Sequence, residues 1–192
     1  MLLLSEKLLS VPVMSLQTGG QIARSSGFII DPRSLKIVAL YVHGPQIEDL
    51  TTVLHTDDIR EAGELGFIID DSSKLMGLDG LVRLQQIIDF HFDLMKCFVY
   101  EKSGKKIGRV TNFSFDPGSY TVQQLYIKES LLKSLTSTSN IVHRSQIISI
   151  DNQKIIVDSP TVTAHDEQVS EAASAFVNPF RQVTPQADQT NI

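Results

Sequence analysis

The sequence has little of what would mark a secreted or membrane protein. Its one cysteine, Cys97, cannot form a disulfide within the chain, so a reducing compartment is expected. No apolar run reaches the roughly 18 residues that a transmembrane helix needs. The apolar N-terminus lacks the positively charged start of a signal peptide. Together these absences predict a cytoplasmic protein.

Basic residues are also scarce. The chain has 17 Lys and Arg against 22 Asp and Glu, a formal net charge of −5. A broad phosphate-binding surface needs clustered Lys and Arg, so this balance disfavours nucleic-acid binding without excluding a local basic patch. Hydrophobic residues make up 42% of the 192 positions, which is typical of a globular protein with a substantial core.

Familiar catalytic and nucleotide-binding motifs are missing as well. The sequence contains no GxGxxG, GxxxxGK[ST], GxSxG, HxxxH or HExxH pattern. His55 and His143 are expected to lie at the rim of the fold, hydrogen-bonded to backbone; a shared ligand or acid–base role is the alternative. Cys97 lies in an apolar stretch, where a buried thiol is inert. We therefore predict no catalytic residue, no metal site and no cofactor, and expect that the protein is not an enzyme.

What the sequence does have is an internal repeat. The stretch Gly19–Val42 returns as Gly104–Ile127 at an offset of 85 residues. After three inserted residues the offset becomes 88, which aligns His55 with His143. A fixed offset held over this length indicates an internal duplication. The residues shared at the offset of 85 are Gly19, Ile22, Arg24, Phe28, Asp31, Pro32, Leu40 and Tyr41, with their counterparts Gly104, Ile107, Arg109, Phe113, Asp116, Pro117, Leu125 and Tyr126.

Each copy is predicted to form about five short strands, because β-rich runs alternate with Gly and Asp-Pro turn signals. Such a pattern is typical of a small barrel or sandwich. The predicted strands are Leu9–Leu16, Gln21–Ile30, Leu35–His43, Leu50–His55 and Gly66–Asp70 in the first copy, and Leu94–Tyr100, Lys106–Phe115 and Thr121–Ile127 in the second, which two further strands complete.

Between the copies, apolar residues at spacings of three and four predict an amphipathic helix over Met76–Asp93, with Asp79 as a possible cap. Beyond Ser159 the chain is rich in Thr, Ser, Gln, Asp, Asn and Pro, which predicts a largely disordered tail. Within that tail, Glu167–Val177 has the pattern of a weak helix, with Val169, Ala172, Ala173 and Phe176 on one side.

Both copies resemble the PRC-barrel domain. The second copy carries the family's Gly turn, its second glycine and its hydrophobic strands, whereas the first has Ala23 and Ser25 where the family has Gly and Val. The segment His143–Ile147 is similar to the family's "x-x-S-x-I" segment. The matching residues of the second copy are Gly104, Ile107, Gly108, Val110, Phe115, Asp116, Leu125 and Ile127.

This resemblance implies a mainly β protein of two tandem small PRC-type barrels joined by the amphipathic helix, with a disordered C-terminal tail. The expected division is barrel 1 over residues 1–75, linker helix over 76–93, barrel 2 over 94–159 and flexible tail over 160–192.

The resemblance also implies a class of function. The family includes the cytoplasmic domain of the photosynthetic reaction-centre H subunit and the C-terminal half of the ribosome-maturation factor, both of which use the barrel for docking. A non-enzymatic interaction or adaptor module, assisting assembly or scaffolding of a macromolecular complex, is the expected function. The alternatives are an RNA- or ribosome-associated assembly factor and a peripheral factor of a membrane complex of the photosynthetic type.

An interaction surface is predicted on the second copy, where a hairpin concentrates cations. Lys102, Lys105, Lys106 and Arg109 would suit an anionic partner, namely RNA, a lipid surface or an acidic protein face; a merely solvated turn is the alternative. Exposed aromatic residues are frequent hot spots in docking. Tyr120 and Tyr126 complete the set of candidates.

Overall fold

The computed structural model describes residues 1–45, 47, 49, 51–63, 66–79, 81–128, 139–158 and 163–164. These residues form fifteen strands. In chain order the strands are Leu3–Leu4 (β1), Pro12–Ser15 (β2), Gly20–Asp31 (β3), Lys36–His43 (β4), Val53–His55 (β5), Glu61–Gly63 (β6), Gly66–Ile69 (β7), Leu75–Met76 (β8), Phe98–Glu101 (β9), Lys106–Asp116 (β10), Thr121–Lys128 (β11), Ser139–His143 (β12), Ile147–Ile150 (β13), Lys154–Val157 (β14) and Thr163–Ala164 (β15).

Helical structure is sparse in the described part of the chain, with one α-helix, Val82–Asp89 (α1). Short 3-10 helices connect several strands. They lie at Ser5–Leu8, Thr56–Asp58, Ser72–Lys74, Leu94–Lys96 and Arg144–Gln146. The protein is therefore mainly β, as predicted.

All the strands belong to one continuous sheet. Its main path runs β13-β14-β9-β10-β11-β4-β3-β2-β7-β6, with β1, β5, β8, β12 and β15 attached beside it. The path does not close on itself among the described residues, so the predicted closure into two barrels is not seen. The path passes instead directly from β11 of the second half to β4 of the first.

The two halves nevertheless share one pattern of strand pairing. In the first half β2 pairs antiparallel with β3 and parallel with β7, and β4 pairs antiparallel with β3 and β5. In the second half β9 pairs in the same senses with β10 and β14, and β11 with β10 and β12. The residues aligned by the sequence offsets occupy corresponding places in these pairings, except on β2 and β9, where the match is displaced by one residue: Val13 pairs with Ala23, and Val99 with Gly108.

The halves meet through a short reciprocal contact between β4 and β11. Ile37 N–H donates to the Tyr120 carbonyl at 2.8 Å, and Val122 N–H donates to the Leu35 carbonyl at 2.9 Å. Leu35 corresponds to Tyr120 in the repeat, and Ile37 corresponds to Val122. Each half therefore donates one of two equivalent hydrogen bonds and accepts the other, as at a two-fold symmetric interface.

Side chains at corresponding positions also pack against each other across this contact. The Phe28 and Phe113 rings meet edge to face, with centroids 5.3 Å apart and planes at 90°. The main hydrophobic core draws on both halves, from Leu8 to Val157. β1 adds a further contact between the halves, because Leu3 of the first half pairs with Phe115 of the second. The two halves therefore share one core.

The helix between the halves differs from its prediction. α1 spans eight residues, whereas a helix over Met76–Asp93 was expected. Leu75–Met76 forms strand β8 on β5 instead, and the N-cap is Leu81, without a side-chain hydrogen bond, so the predicted Asp79 cap is wrong. Leu84 is the buried residue of α1 and packs on the first half.

The predicted tail, residues 160–192, lies outside the described residues apart from β15. The proposed division of the chain at residues 75, 93 and 159 stays a prediction.

Candidate interaction surface

Two aromatic side chains lie on the outer face of the strands β14, β9 and β10. Phe98 and Tyr100 are half-buried and alternate with the buried Val99 on β9. Across the sheet Phe98 is the register partner of Arg109 on β10 and of Lys154 on β14, which run on opposite sides of β9. The pairing of β9 thus places cations on both sides of the rings.

A bulge in β10 turns two cations to the same side. Successive strand residues face opposite sides of a sheet, so Lys106 and Arg109, three apart, would point in opposite directions on a regular strand. The register of β10 against β9 shifts between Lys106 and Gly108. As a result Ile107 and Gly108 are both buried, while Lys106 and Arg109 are both exposed. A bulge re-aims side chains in this way.

The cations lie over the aromatic rings. Lys106 Nζ is 3.5 Å from the centroid of the Phe98 ring, and Arg109 Cζ is 5.6 Å from the same centroid. Lys154 Nζ is 4.9 Å from the centroid of the Tyr100 ring. Cation–π contacts of this kind hold the charged groups over the face. We call these five residues, Phe98, Tyr100, Lys106, Arg109 and Lys154, the basic face.

Most of these charges form no ion pair with another residue that the structure describes. Among the described residues Lys106, Arg109 and Lys154 form no ion pair, and neither does Lys102 in the turn beside them. In the same turn, Lys105 Nζ lies 3.6 Å from Glu101 Oε1, so this lysine is ion-paired. Within the described ranges, three of the four predicted cations are therefore unpaired, and the fourth is paired.

The charge of the chain is unevenly distributed. Residues 1–75 contain six Lys and Arg and ten Asp and Glu, a net −4, whereas residues 94–159 contain nine and five, a net +4. The first half also lacks the basic face. Matched by strand pairing, in which Phe98 opposite Arg109 corresponds to Pro12 opposite Arg24, its corresponding positions are Pro12, Met14, Gln21, Arg24 and Gly66. The fold alone therefore does not require these cations and rings.

The two predicted tyrosines do not join this face. Tyr120 is 7% exposed, stacks on Phe115 with ring centroids 6.2 Å apart, and must be removed from the predicted surface. The backbone φ of Tyr120 is 53°, and Leu35 at the corresponding turn has a similar φ of 55°. With this left-handed backbone conformation both side chains lie in the core. Tyr126 is half-buried on another face, where its hydroxyl donates to Gln124 Oε1 at 3.4 Å.

The structure gives Cys97 and His143 structural roles. His143 Nδ1 accepts from the Ser145 N–H at 3.3 Å, which caps the 3-10 helix at Arg144–Gln146. Burial, with the negative charge of Asp93 second, raises the pKa of the Cys97 thiol to about 11. A thiol with so little thiolate at neutral pH is a poor nucleophile.

Stability is expected to fall at alkaline pH because two buried acids resist ionisation. Burial raises the pKa of Tyr120 from 10.0 to about 12, and that of Cys97 from 9.0 to about 11. As pH rises, the unfolded chain loses these protons first, so ionisation favours unfolding. The contribution of these two groups to the free energy of unfolding is complete below about pH 9. It is lost between about pH 9 and 12, as the pH passes from the unfolded to the folded pKa of each group.

Urea unfolding at pH 8, 9.5 and 11 measures this fall. Tyr120→Phe is the control: it removes one of the two titrations and should flatten the fall above pH 10. An unfolding free energy that stays constant to pH 11 would contradict the expected burial.

Three members of the basic face were not predicted as site residues, namely Phe98, Tyr100 and Lys154. The alternation of Phe98 and Tyr100 around Val99 is a local signal that one face of β9 is aromatic. Lys154 gives no such signal, because its place beside Phe98 comes from a parallel pairing between strands about 55 residues apart.

Comparison with known proteins places the second half in a family. A model of the PRC-barrel domain matches residues 89–163, which include the whole basic face. No curated protein matches the chain. In the part of the chain that the structure describes, we find no helix with the length and apolar character needed to cross a membrane.

Proposed function

Because residues 89–163 belong to the PRC-barrel domain family, we propose that the protein is a non-enzymatic interaction module that helps to assemble or scaffold a macromolecular complex. We further propose that residues 1–75 form a second unit of the same type. The shared pattern of strand pairing in the two halves supports this proposal.

The basic face is the observation that carries the proposed function. Its cations are exposed, form no ion pairs among the described residues and stand over half-buried rings. The counterpart positions of the first half hold a single cation, Arg24, whose guanidinium donates to the Ser10 carbonyl and to Gln21 Oε1. Such an asymmetry supports a role for the second half in contacting a partner.

An acidic protein surface is the partner that suits this face best. Complementary charges steer association and suppress wrong partners. RNA, the second candidate, would be recognised by bases stacking on exposed aromatic rings. The Phe98 ring already has Lys106 Nζ at 3.5 Å from its centroid, so its outer face is occupied. The carboxylates of a protein partner need only the cations.

Charge reversal at the basic face tests this function. We expect Lys106→Glu with Arg109→Glu to lower recovery of the partner at least tenfold in affinity capture by the full chain from native lysate. The double substitution replaces two attractions with two repulsions at the centre of the face. Quantitative mass spectrometry of the captured proteins measures the effect, and raised salt should weaken the wild-type interaction.

The repeat supplies a matched control. Gln21→Glu with Arg24→Glu changes the corresponding positions of the first half, and should leave recovery unchanged. Capture in which wild type and charge-reversed variant recover the same proteins would contradict the proposal. Recovery that disappears after ribonuclease treatment would identify the RNA-associated alternative, and recovery only from membrane fractions would identify the peripheral membrane factor.

A further inference from the structure

A cleft lies beside α1 on the outer face of the first half. Leu84 of the helix is buried against Ala39 on β4 and Val53 on β5, in a cluster separate from the main core. Next to this cluster, a cleft of about 350 Å³ is bounded by the helix, by β4 and β5, and by the turn between β3 and β4. Small-molecule sites are clefts of about 300–1,000 Å³, so a small ligand fits its size.

Part of the lining of this cleft is apolar. Val38 on β4 and Ile87 on α1 are partly buried and pack against the cluster around Leu84. Phe90, at the C-cap of α1, lines the same cleft and is 40% exposed. We call Val38, Ile87 and Phe90 the apolar lining. An apolar group placed against it would remove hydrophobic surface from water, which favours binding.

The charged side chains of the cleft are three cations and two carboxylates. The cations are Arg33, Lys36 and Arg83, and the carboxylates are Asp31 and Asp57. Asp31 accepts the N–H of Arg33 at 3.0 Å, within its own turn, and Asp57 pairs with Lys36 at 2.7 Å. Neither the Arg33 nor the Arg83 guanidinium has a hydrogen bond or ion pair with another described residue. Two unpaired guanidinium groups thus line the cleft in this part of the chain.

His55 adds an imidazole to the same cleft. Its register partner on β4 is Ala39, and it follows Val53 by two residues on β5. Residues two apart on a strand share a face, so His55 lies on the face that carries the Leu84 cluster. The side chain is half-buried, with a ring nitrogen that can donate a hydrogen bond.

The two histidines related by the repeat have different surroundings. The His143 ring accepts the N–H of Ser145 and caps the following 3-10 helix. His55 precedes the corresponding 3-10 helix without a side-chain cap, and Asp57, at the position of Ser145, pairs with Lys36 instead. The capping role therefore explains His143 and does not explain His55.

The cations of the cleft are likewise confined to the first half. At the repeat offset, Gly118 stands at the position of Arg33 and Thr121 at that of Lys36, although both copies keep the Asp-Pro turn. The strands and the turn can therefore form without these charges. The difference between the copies points to a ligand, because the fold does not require it.

We propose that this cleft binds a small organic anion that carries an oxyanion group, a carboxylate or a phosphate, next to an apolar group. Arg33 and Arg83 bind the oxyanion, because the planar donors of a guanidinium match two of its oxygen atoms. His55 donates a further hydrogen bond, and the apolar group lies against the apolar lining. The site shares no residue with the basic face, and goes beyond the proposed docking function without depending on it.

An NMR titration of the full chain with 1-naphthoate, and separately with 1-naphthyl phosphate, tests the proposal. We expect at least one of these probes to shift the amide signals of Val38, His55 and Ile87 in a saturable way. The probe that binds more tightly identifies the oxyanion. Inorganic phosphate should bind at least tenfold more weakly than this probe, because it has no group to place against the apolar lining.

Substitutions in the cleft show whether the probe binds there. Arg33→Gln with Arg83→Gln should lower the affinity at least tenfold, because charge-assisted hydrogen bonds are lost. Both side chains are exposed, so the fold should persist, which the amide spectrum will verify. His55→Phe keeps a ring but removes the donor, and should weaken binding about three- to tenfold. The control, Lys106→Gln with Arg109→Gln, removes two cations from the basic face and should leave the affinity unchanged.

Three results would overturn the proposal. The first is the absence of saturable shifts around the cleft with both naphthalene probes. The second is an equal effect of the two double substitutions, because binding would then depend on net charge alone or occur elsewhere. The third is an affinity for inorganic phosphate that equals the affinity for the probes, because the apolar lining would then take no part.

Discussion

Replacing Phe113 with alanine is expected to lower the free energy of unfolding by about 3–5 kcal/mol. The side chain is completely buried in the main core, and its ring contacts Phe28 of the first half edge to face. Truncation leaves a cavity at the point where the halves meet, and the backbone on both sides is fixed by the β4–β11 contact. Denaturant unfolding followed by circular dichroism measures the loss.

Phe28→Ala is the matched comparison. Phe28 is only half-buried, so its truncation should cost less than that of Phe113. The double variant should lose less than the sum of the two single losses, because the ring contact is removed only once. Losses that add completely, or separate unfolding transitions for the two halves, would show that this contact does not join them.

Replacing Gly108 with alanine is expected to cost about 2–3 kcal/mol, through overpacking against backbone. A Cβ atom at this position would lie 2.3 Å from the Lys128 carbonyl oxygen and 2.8 Å from its carbon. Neither strand has room to move, because both lie in the middle of the sheet. The bulge that aims Lys106 and Arg109 includes this residue, so partner capture should fall together with stability.

Gly20→Ala is the control for this substitution. Its Cβ would have no neighbour within 4 Å, and its stability should stay within about 0.5 kcal/mol of wild type, as for most surface changes. In the first half the position of Gly108 is held by Ala23, and the close approach falls on Gly44, whose Cβ would lie 2.5 Å from the Ile22 carbonyl oxygen. Gly44→Ala should therefore match Gly108→Ala. A Gly108→Ala variant as stable as Gly20→Ala would contradict the close approach.

The longer strands were predictable from sequence because turn chemistry bounds them, whereas the short strands β1, β6, β8, β13 and β15 were not predicted. The Asp31-Pro32 and Asp116-Pro117 pairs mark the ends of β3 and β10, and the carboxylate of each aspartate accepts hydrogen bonds from the turn that follows. The single continuous sheet was not predictable, since β4 joins β11 through a few backbone hydrogen bonds that leave no pattern in the side chains. The PRC-barrel family of the second half was correctly identified from its motifs.

The predicted helix was longer than the observed α1 for a physical reason. Its apolar spacing continues through Leu78 and Leu81, and both residues do pack on the cluster around Leu84. They do so from an irregular segment, because Leu75–Met76 is held by strand pairing to β5. The apolar periodicity correctly indicated which residues pack on the sheet. The start of the helix depends instead on the pairing of β8 with β5.

The cations of the candidate site were partly predictable. Their number in the hairpin is visible in the sequence, but the common side that Lys106 and Arg109 share depends on one bulged residue. Tyr120 follows the Asp116-Pro117 turn and has a positive φ, which inverts the orientation expected from its neighbours. Local patterns identified the hairpin, whereas the composition of the face depended on backbone irregularities.

The reciprocal contact between β4 and β11 has a consequence for how the surface of the molecule can diversify. In a symmetric pair of identical subunits, every substitution is displayed twice, so a basic face on one subunit is also a basic face on the other. Covalent linkage of the two halves removes that constraint. One half carries a net +4 and the other a net −4 while both keep the same strand pairing. Within the described residues the proposed docking face thus lies on one half, and we expect one-to-one stoichiometry with the proposed partner.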